Sequence, residues 1–249
     1  MLVKLFYIYL FLGVTLFGAS INVAVAANVS YAIDALKKEF AKEHPDVKVR
    51  ITLGGSGKLT AQIKHGAPYD VFMSANMSYP EYLFADMLAL NEPVIYAKGG
   101  IACLSVKPRD FSRGIKTVLD KKINKIAIAN PKTAPYGKAT MQALKNADIL
   151  QDVQKKFVYG ESIAQTLSFT MLAADIGFIA SSSLYSPKLA HYKKGVHWVE
   201  INSELYTPIE QGIVILKHGT KSSDALAFYK FILGKKAQKI FLDFGYTLP

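Results

Sequence analysis

The sequence contains a single cysteine, Cys103, among 249 residues. A disulfide within the chain is therefore impossible, and no metal cluster can depend on cysteine thiolates. Histidine is scarce too, and none of the five histidines stands in a His-x-x-x-His or Glu-x-x-His pattern that would form a metal site. The sequence therefore predicts no metal ion bound directly by protein side chains.

Signatures of enzymes are missing as well. The run Ser181–Ser183 lacks the Gly-x-Ser-x-Gly turn of serine hydrolases and has no evident base beside it. The segment Gly54–Thr60 superficially suggests a phosphate-binding P-loop, but only three residues separate Gly54 from Lys58, and Leu59 replaces the Ser/Thr that binds magnesium. We therefore predict that the protein is not an enzyme and requires no cofactor.

Arginine is rare, whereas lysine is abundant. The chain has 30 Lys and Arg against 19 Asp and Glu, a formal net charge of +11, but only three of the 30 are arginines. The lysines are scattered or occur in pairs rather than in a basic stripe. This distribution indicates that most lysines lie on solvated helix faces. The alternative is that they mildly steer an anionic ligand toward the protein. We expect no nucleic-acid partner.

The one long hydrophobic run lies at the start of the chain. Lys4 precedes it, Leu5–Phe17 is uncharged and apolar, and the small residues Gly18–Ser20 follow. This order is typical of a secretory signal peptide. The run is shorter than the roughly 20 residues that a membrane helix needs, although an uncleaved anchor is the alternative. No cysteine follows it to carry a lipid, so we expect residues 1–20 to be a signal peptide and the mature protein to be free and soluble in the periplasm.

Strand-like and helix-like segments alternate along the rest of the chain. The patterns predict strands at residues 21–26, 47–53, 70–73, 101–106, 126–129, 157–159, 175–180 and 212–216. They predict helices at residues 30–43, 58–64, 81–87, 161–173, 222–233 and 235–244, and another that follows the turn at residues 135–137 and ends at about residue 146. This alternation implies parallel sheets with right-handed crossovers. We therefore predict an α/β fold of two lobes with a ligand cleft between them, each lobe a mostly parallel sheet flanked by helices. Lobe I comprises residues 21–98 plus 207–249, and lobe II comprises residues 99–206.

Three of the predicted helix starts follow strand ends and lack acidic side chains. They lie at Asn28, at Ser56–Gly57 and at Tyr136–Gly137. A helix N-terminus offers unpaired N–H groups and about half a positive charge, so several of them aimed at one point bind a small oxyanion. A fourth start contributes the N–H of Ile163, with Ser162 as the expected cap. Ordinary capping is the alternative interpretation of each turn taken alone.

Several motifs surround these turns. They are Val25–Asn28, Gly55–Ile63, Gly66–Ala75, Ala129–Gly137, Ala237–Phe241 and Phe244–Tyr246, and they include the specific patterns Gly-Ala-Pro-x-Asp-Val and Ala-Pro-Tyr-Gly. Over nearly all of residues 20–249 the chain resembles the molybdate-binding proteins of periplasmic ABC uptake systems, which have the two-lobed periplasmic binding-protein fold. The resemblance implies an oxyanion held by neutral groups only: Asn28, Ser56, and the N–H groups of Tyr136 and Ile163.

Two departures from the family pattern matter. The first position is commonly serine in the family, and here it is Asn28, whose amide can also donate to an oxyanion. Family members often place a tyrosine hydroxyl on the ligand from the segment that matches Gly177–Ala180. Here the matching residue is Ala180, so either Ser181 replaces that hydroxyl or the bond is absent. Gly57 and Gly137 are the other additional candidates.

The resemblance implies an exported receptor for molybdate, and for tungstate, that delivers the anion to a membrane ABC permease. Molybdenum would be present only in the bound oxyanion, and we expect a monomer. The same fold with another ligand, such as sulfate, phosphate or a metal cation, is the main alternative. The effector domain of a regulator and a secreted hydrolase are two further ones.

Overall fold

The computed structural model describes residues 20–249. The predicted signal peptide lies outside this range apart from Ser20, which begins the first strand. Within the range, no helix is both long and apolar enough to cross a bilayer. The same residues contain no group of three or more His, Cys, Asp or Glu side chains that could hold a metal ion.

Strands and helices alternate along the described part of the chain. The strands are β1 (Ser20–Ala26), β2 (Lys48–Gly54), β3 (Val71–Met73), β4 (Val94–Gly99), β5 (Ile101–Leu104), β6 (Ile126–Ala129), β7 (Phe157–Gly160), β8 (Ile176–Ala180), β9 (Trp198–Glu200) and β10 (Ile209–Ile215). The α-helices are α1 (Ile33–Ala41), α2 (Ser56–Lys64), α3 (Ser78–Ala85), α4 (Pro135–Asn146), α5 (Leu150–Val153), α6 (Ile163–Leu172), α7 (Ser223–Leu233) and α8 (Lys235–Asp243).

The strands form two five-stranded sheets with the same plan. The first has the order β2-β1-β3-β10-β4, and the second has the order β7-β6-β8-β5-β9. In the first sheet β10 is antiparallel to both of its neighbours, so the other four strands run in one direction. In the second sheet β5 takes the same antiparallel place. The predicted fold class, two lobes each built on a mostly parallel sheet flanked by helices, is confirmed.

The chain passes between the two sheets twice. It goes from β4 to β5 through Gly100 and returns from β9 to β10 through residues 201–208. Gly99, at the first crossing, has no room for a side chain, because a Cβ there would lie 2.2 Å from the Tyr136 hydroxyl. The predicted lobe boundaries lie in or beside these crossings, and their assignment to single residues stays a prediction.

Each sheet is apolar on both faces because helices cover both. In β1, Val23 and Val25 pack with α1, α7 and α8, whereas Ala24 faces the other way, toward α2 and α3. The core of the second lobe extends across the cleft and includes Ala27 and Ala75 of the first lobe. Apolar contacts of Ala27 and Ala75 thus hold the strand ends of the two lobes close to one another.

Several elements differ from the prediction, and the short helix α5 was not among the predicted ones. The helix predicted from residue 30 is preceded by a 3-10 turn over Ala27–Tyr31, and α1 begins only at Ile33. The helix predicted at residues 81–87 lies earlier, at Ser78–Ala85, and Met87 behind it is left-handed with a φ of 56°. Strand β4 was not predicted, since only its two central residues are fully buried and its alternation is therefore weak.

Candidate oxyanion-binding site

One small buried cavity lies where the two lobes meet. Four turns surround it, each leading from the carboxyl end of a strand into a helix: β1 into the 3-10 turn, β2 into α2, β6 into α4 and β7 into α6. The cavity is lined by Ala26, Ala27, Asn28, Gly54, Gly55, Ser56, Ala75, Ala134, Pro135, Tyr136 and Ile163. The structure therefore brings together the four ligand residues singled out in the sequence, Asn28, Ser56, Tyr136 and Ile163, from four separate elements.

The cavity is electrically neutral in its side chains but positive in its backbone dipoles. None of the residues that line it carries a formal charge at neutral pH. Helices α2, α4 and α6 begin at its wall, at Ser56, Pro135 and Ile163. The first N–H groups of a helix have no acceptor within that helix, and the helix dipole adds partial positive charge there. This combination suits an anion, because helix N-termini stabilise negative charge without a cationic side chain.

The cavity has a volume of about 10 Å³, roughly the room that one water molecule occupies. A tetrahedral oxyanion is larger than a water molecule, so its walls must move apart to admit one. The walls belong to two lobes joined by two chain crossings, an arrangement that permits rotation of one lobe against the other.

Ser56 is the first residue of α2, and its side chain is held in one orientation. Its exposed fraction is 1%. Its Oγ accepts a hydrogen bond of 3.0 Å from the N–H of Ala75, which follows β3 closely. The hydroxyl proton is therefore left to be donated, and Ser56 offers both that proton and its own N–H.

Asn28 lies in the 3-10 turn after β1 and is also 1% exposed. Its Nδ2 donates to Gln211 Oε1 at 2.8 Å and to Tyr246 Oη at 3.2 Å. Its main-chain carbonyl accepts from the hydroxyls of Tyr246 at 2.8 Å and Ser182 at 3.1 Å. Its Oδ1 has no hydrogen-bond partner within residues 20–249. The amide is thus fixed by residues behind the cavity, and Asn28 does not cap a helix with its side chain.

Tyr136 contributes its backbone to the cavity and its ring to the core. It is the second residue of α4, behind Pro135 at the first position, where proline is favoured. The phenol is buried beside Gly99, and its hydroxyl has no hydrogen-bond partner in the described part of the chain. Burial raises the pKa of Tyr136 well above its usual range, neighbouring tyrosines raise it further, and the Asn28 amide offsets a part of this.

Ile163 is the first residue of α6, and its N–H is directed to no acceptor of its own helix. Ser162 caps this helix, as predicted: its Oγ accepts from the N–H of Gln165 at 3.2 Å. The side chain of Ile163 is buried in the core of the second lobe. Its backbone alone is therefore available to a ligand.

The three further candidates have other roles. The N–H of Gly57 donates to the carbonyl of Thr133 at 3.0 Å, and the N–H of Gly137 donates to Ala134 at 3.0 Å, so neither is free for a ligand. Ser181 does not line the cavity, and its N–H bonds the carbonyl of Gly100 at 2.9 Å. In this structure Ser181 therefore lies outside the cavity, and its proposed part in place of the tyrosine hydroxyl stays a prediction.

The two lobes touch above the cavity. The bond from Gly57 to Thr133 joins them directly, and Lys58 Nζ lies 3.2 Å from Glu161 Oε2 at the exposed edge of the cleft. A Cβ on Gly55 would lie 2.8 Å from the Glu161 carbonyl, so only glycine allows this approach. The two lobes are therefore in direct contact at this edge of the cavity.

Residues behind the cavity were not predicted from the sequence. Gln211 is fully buried in β10, beside a register shift between it and Gly212, and its Oε1 also accepts from Tyr96 at 2.8 Å. Burial raises the pKa of Tyr246 to about 12. No local signal marks Gln211, whereas Tyr246 belongs to a motif that carries the resemblance.

Two lobes around a buried, uncharged cavity at the carboxyl ends of their strands define a protein that encloses a small solute. Comparison with known proteins gives the family. The model of the family described as bacterial extracellular solute-binding protein matches residues 21–247. The chain belongs to this family, and it is a binding protein and not an enzyme, as predicted.

Individual relatives agree with this assignment. The chain is 35% identical over 233 residues to the molybdate-binding protein ModA of Azotobacter vinelandii, with 92% of this chain and 90% of the relative covered. It is 32% identical over 227 residues to ModA of Rhodobacter capsulatus, with 90% and 86% covered. The solved structure of the periplasmic molybdate-binding protein of Azotobacter vinelandii matches with a TM-score of 0.85 at 33% identity, over 92% of this chain and 99% of that one. In the names of these relatives molybdate is a bound solute and not a cofactor, which agrees with the prediction that no cofactor is required.

Proposed function

We propose that the protein is an exported solute-binding protein that captures molybdate, and also tungstate, and delivers it to a membrane ABC permease. The observation that carries the proposal is the convergence of four helix or turn starts on one uncharged cavity. The relatives named as molybdate-binding proteins support the choice of anion.

The proposed donor set is the hydroxyl and N–H of Ser56, the N–H groups of Tyr136 and Ile163, and the amide of Asn28 with its Nδ2 turned toward the cavity. A hydrogen bond to a charged group contributes about 1.5–3 kcal/mol. About five such bonds, less the cost of association and ordering, allow dissociation constants between about micromolar and nanomolar. A dianion can therefore be held firmly without any cationic side chain.

Selectivity follows from size and from protonation. Molybdate and tungstate are larger than sulfate and phosphate, so a cavity closed around the larger anion holds the smaller ones loosely. Phosphate also carries a proton at neutral pH, and a site made of donors leaves this proton without an acceptor. Another oxyanion, such as sulfate or phosphate, is the second candidate, and the same measurement distinguishes it.

The working cycle we propose is a hinge closure. Lobe I (residues 21–98 and 207–249) and lobe II (residues 99–206) part to admit the anion and close over it. Residues 1–20 act as the signal peptide for export to the periplasm, where the mature protein works as a monomer. The permease then receives the closed, loaded form, and no nucleic acid takes part.

Calorimetry on the purified protein tests the choice of anion. Molybdate, tungstate, sulfate and phosphate are titrated at neutral pH under identical conditions. We expect tight binding of molybdate and tungstate and weak or absent binding of the other two. Heat from sulfate with none from molybdate would overturn the proposal in favour of the second candidate.

A pair of serine variants tests the site. Ser56→Ala removes one donor to the anion, which should weaken molybdate binding about 10- to 150-fold. Ser222→Ala is the matched control, because Ser222 caps α7 through a 3.0 Å bond from the N–H of Ala225, away from the cavity. The control should lower stability slightly and leave affinity unchanged. If Ser56→Ala binds molybdate with unchanged affinity, Ser56 does not contact the anion.

A further inference from the structure

Three buried side-chain polar atoms have no hydrogen-bond partner within residues 20–249: Asn28 Oδ1, Gln211 Nε2 and Tyr136 Oη. They belong to one cluster. Asn28 and Gln211 are joined through the other atoms of their amides at 2.8 Å. Gln211 Nε2 and Tyr136 Oη both lie against Gly99, where a Cβ would be 2.8 Å from the first atom and 2.2 Å from the second. Unpaired buried polar atoms are rare, so three neighbouring ones require an explanation.

A half-turn of both side-chain amides pairs Asn28 Oδ1 and Gln211 Nε2 without moving the chain. The oxygen and nitrogen of a carboxamide are close in size, so each can occupy the position of the other. Gln211 Nε2 then donates to Asn28 Oδ1 across the same 2.8 Å. It also donates to Tyr96 Oη, across the 2.8 Å that joins this hydroxyl to the Gln211 amide. Tyr96 in turn donates to the carbonyl of Ser74, 3.3 Å away.

Of the other tyrosines, Tyr246 fits this second arrangement. The Tyr136 hydroxyl lies with the Gln211 amide against Gly99 and has no hydrogen-bond partner among the described residues in either arrangement. Tyr246 Oη lies 3.2 Å from the Asn28 amide atom that becomes Oδ1, and it can donate there. The main-chain carbonyl of Asn28 keeps its bond from Ser182 at 3.1 Å. Asn28 Nδ2 is then left for a ligand, and Gln211 Oε1 takes the unpaired position beside Gly99.

We infer that Gln211 is a positioning residue for the oxyanion: it donates to Asn28 Oδ1 and thereby turns Asn28 Nδ2 toward the cavity. Asn28 lines the cavity, whereas Gln211 and Tyr246, which hold the other atom of its amide, do not. With Gln211 donating, an NH₂ group faces the anion. With Gln211 accepting, a carbonyl oxygen would face it and repel it. The inference rests on the proposed function, since it assumes an oxyanion in the cavity.

Nuclear Overhauser contacts of the side-chain amides show the orientation directly. They are measured on the ¹⁵N-labelled protein saturated with molybdate. We expect the Gln211 NH₂ protons to contact the Tyr96 ring, and the Asn28 NH₂ signal to shift when molybdate is added. Contacts from Gln211 NH₂ to the Tyr136 ring, together with contacts from Asn28 NH₂ to the Tyr246 ring, would overturn the inference.

Affinity gives an independent readout. Gln211→Met keeps the length of the side chain but neither orients Asn28 nor donates to it, so molybdate binding should weaken by the equivalent of one charge-assisted hydrogen bond, about 10- to 150-fold. Gln238→Met is the matched control, since the side chain of Gln238 bonds only the carbonyl of Leu233, at 3.4 Å, among the described residues. Equal affinity of Gln211→Met and the unaltered protein would also refute the inference.

The two proposals fail in different ways. If the unaltered protein binds no molybdate in the calorimeter, the proposed function fails before any variant is made. If it binds molybdate but shows the opposite amide contacts, only the role of Gln211 fails. If Gln211→Met does not fold, the amide contacts of the unaltered protein decide the question alone.

Discussion

Replacing Gly55 with alanine should weaken anion binding without unfolding the protein, because the new methyl group would press against the opposite lobe. Gly55 precedes α2 with φ −65° and ψ 138°, a conformation that alanine adopts freely. The substitution is therefore free of strain when the lobes are apart. The cost arises only when they close.

The structure gives the size of this cost. The added Cβ would lie 2.8 Å from the Glu161 carbonyl oxygen, whereas ordinary contacts begin near 3.4 Å. Glu161 offers main chain at this point, so it cannot rotate out of the way as a side chain would. Overpacking of this kind costs about 1–3 kcal/mol. The affinity for molybdate should consequently fall about 5- to 150-fold.

Calorimetric titration of Gly55→Ala with molybdate measures the effect, and a thermal unfolding curve without anion checks that the fold is intact. Gly54→Ala is the matched control in the same turn, because its Cβ would meet only the flexible side chain of Leu59, at 3.2 Å. We expect its affinity to stay within about threefold of the unaltered protein. Equal affinities for Gly55→Ala and the unaltered protein would mean that the lobes do not close in this way around the anion.

Four smaller predictions follow from individual contacts. Ser182→Ala removes the hydroxyl bond to the Asn28 carbonyl, and urea unfolding should show a loss of about 0.5–1.5 kcal/mol; an unchanged midpoint would contradict this. Lys58→Ala breaks only an exposed ion pair, so molybdate affinity should change less than about threefold, and a larger loss in the calorimeter would be unexpected. Burial raises the pKa of Tyr246 to about 12, above the 10 of an exposed tyrosine, so its contribution to stability is complete below about pH 10 and is lost as the pH rises toward 12. Urea unfolding at a series of pH values checks this, and a flat alkaline limb would oppose it. Burial also raises the pKa of the Cys103 thiol, so a thiol reagent should label Cys103 only after unfolding, and rapid labelling of the native protein would contradict that.

Much of the fold follows from local signals. Helix α4 ends at Asn146, as predicted, and its first turn is formed by the predicted turn residues, because proline is favoured at the first position of a helix. Strand β6 likewise lies at Ile126–Ala129, as predicted, since four buried apolar residues in a row are typical of a central parallel strand. Where local sequence signals conflict, the observed end of a helix differs from the predicted one. The start of α3 precedes the prediction by three residues because Pro80 lies within its first turn, where proline is tolerated.

Some residues of the site are predictable from the sequence and others are not. Residues that offer backbone N–H groups are identifiable because each follows a strand and begins a helix, a pattern contained in about ten residues of sequence. Gln211 is different. It meets Asn28 across 183 positions of sequence, and only the pairing of β10 with β3 brings the two together. The sequence also does not show that the N–H groups of Gly57 and Gly137 already have acceptors. These acceptors depend on how the turns pack and not on the motifs.

The placement of β10 governs the order in which the chain can complete its parts during synthesis. Every strand of the second sheet lies within residues 101–200, so this sheet can assemble as soon as that stretch has emerged. The first sheet is different, since β3 and β4 are joined only through β10, which is made after the whole second sheet. The first sheet must therefore wait, without the strand that links β3 to β4, until β10 has been made. A chain cut before Ile209 would still contain every strand of one lobe but would leave the other permanently open.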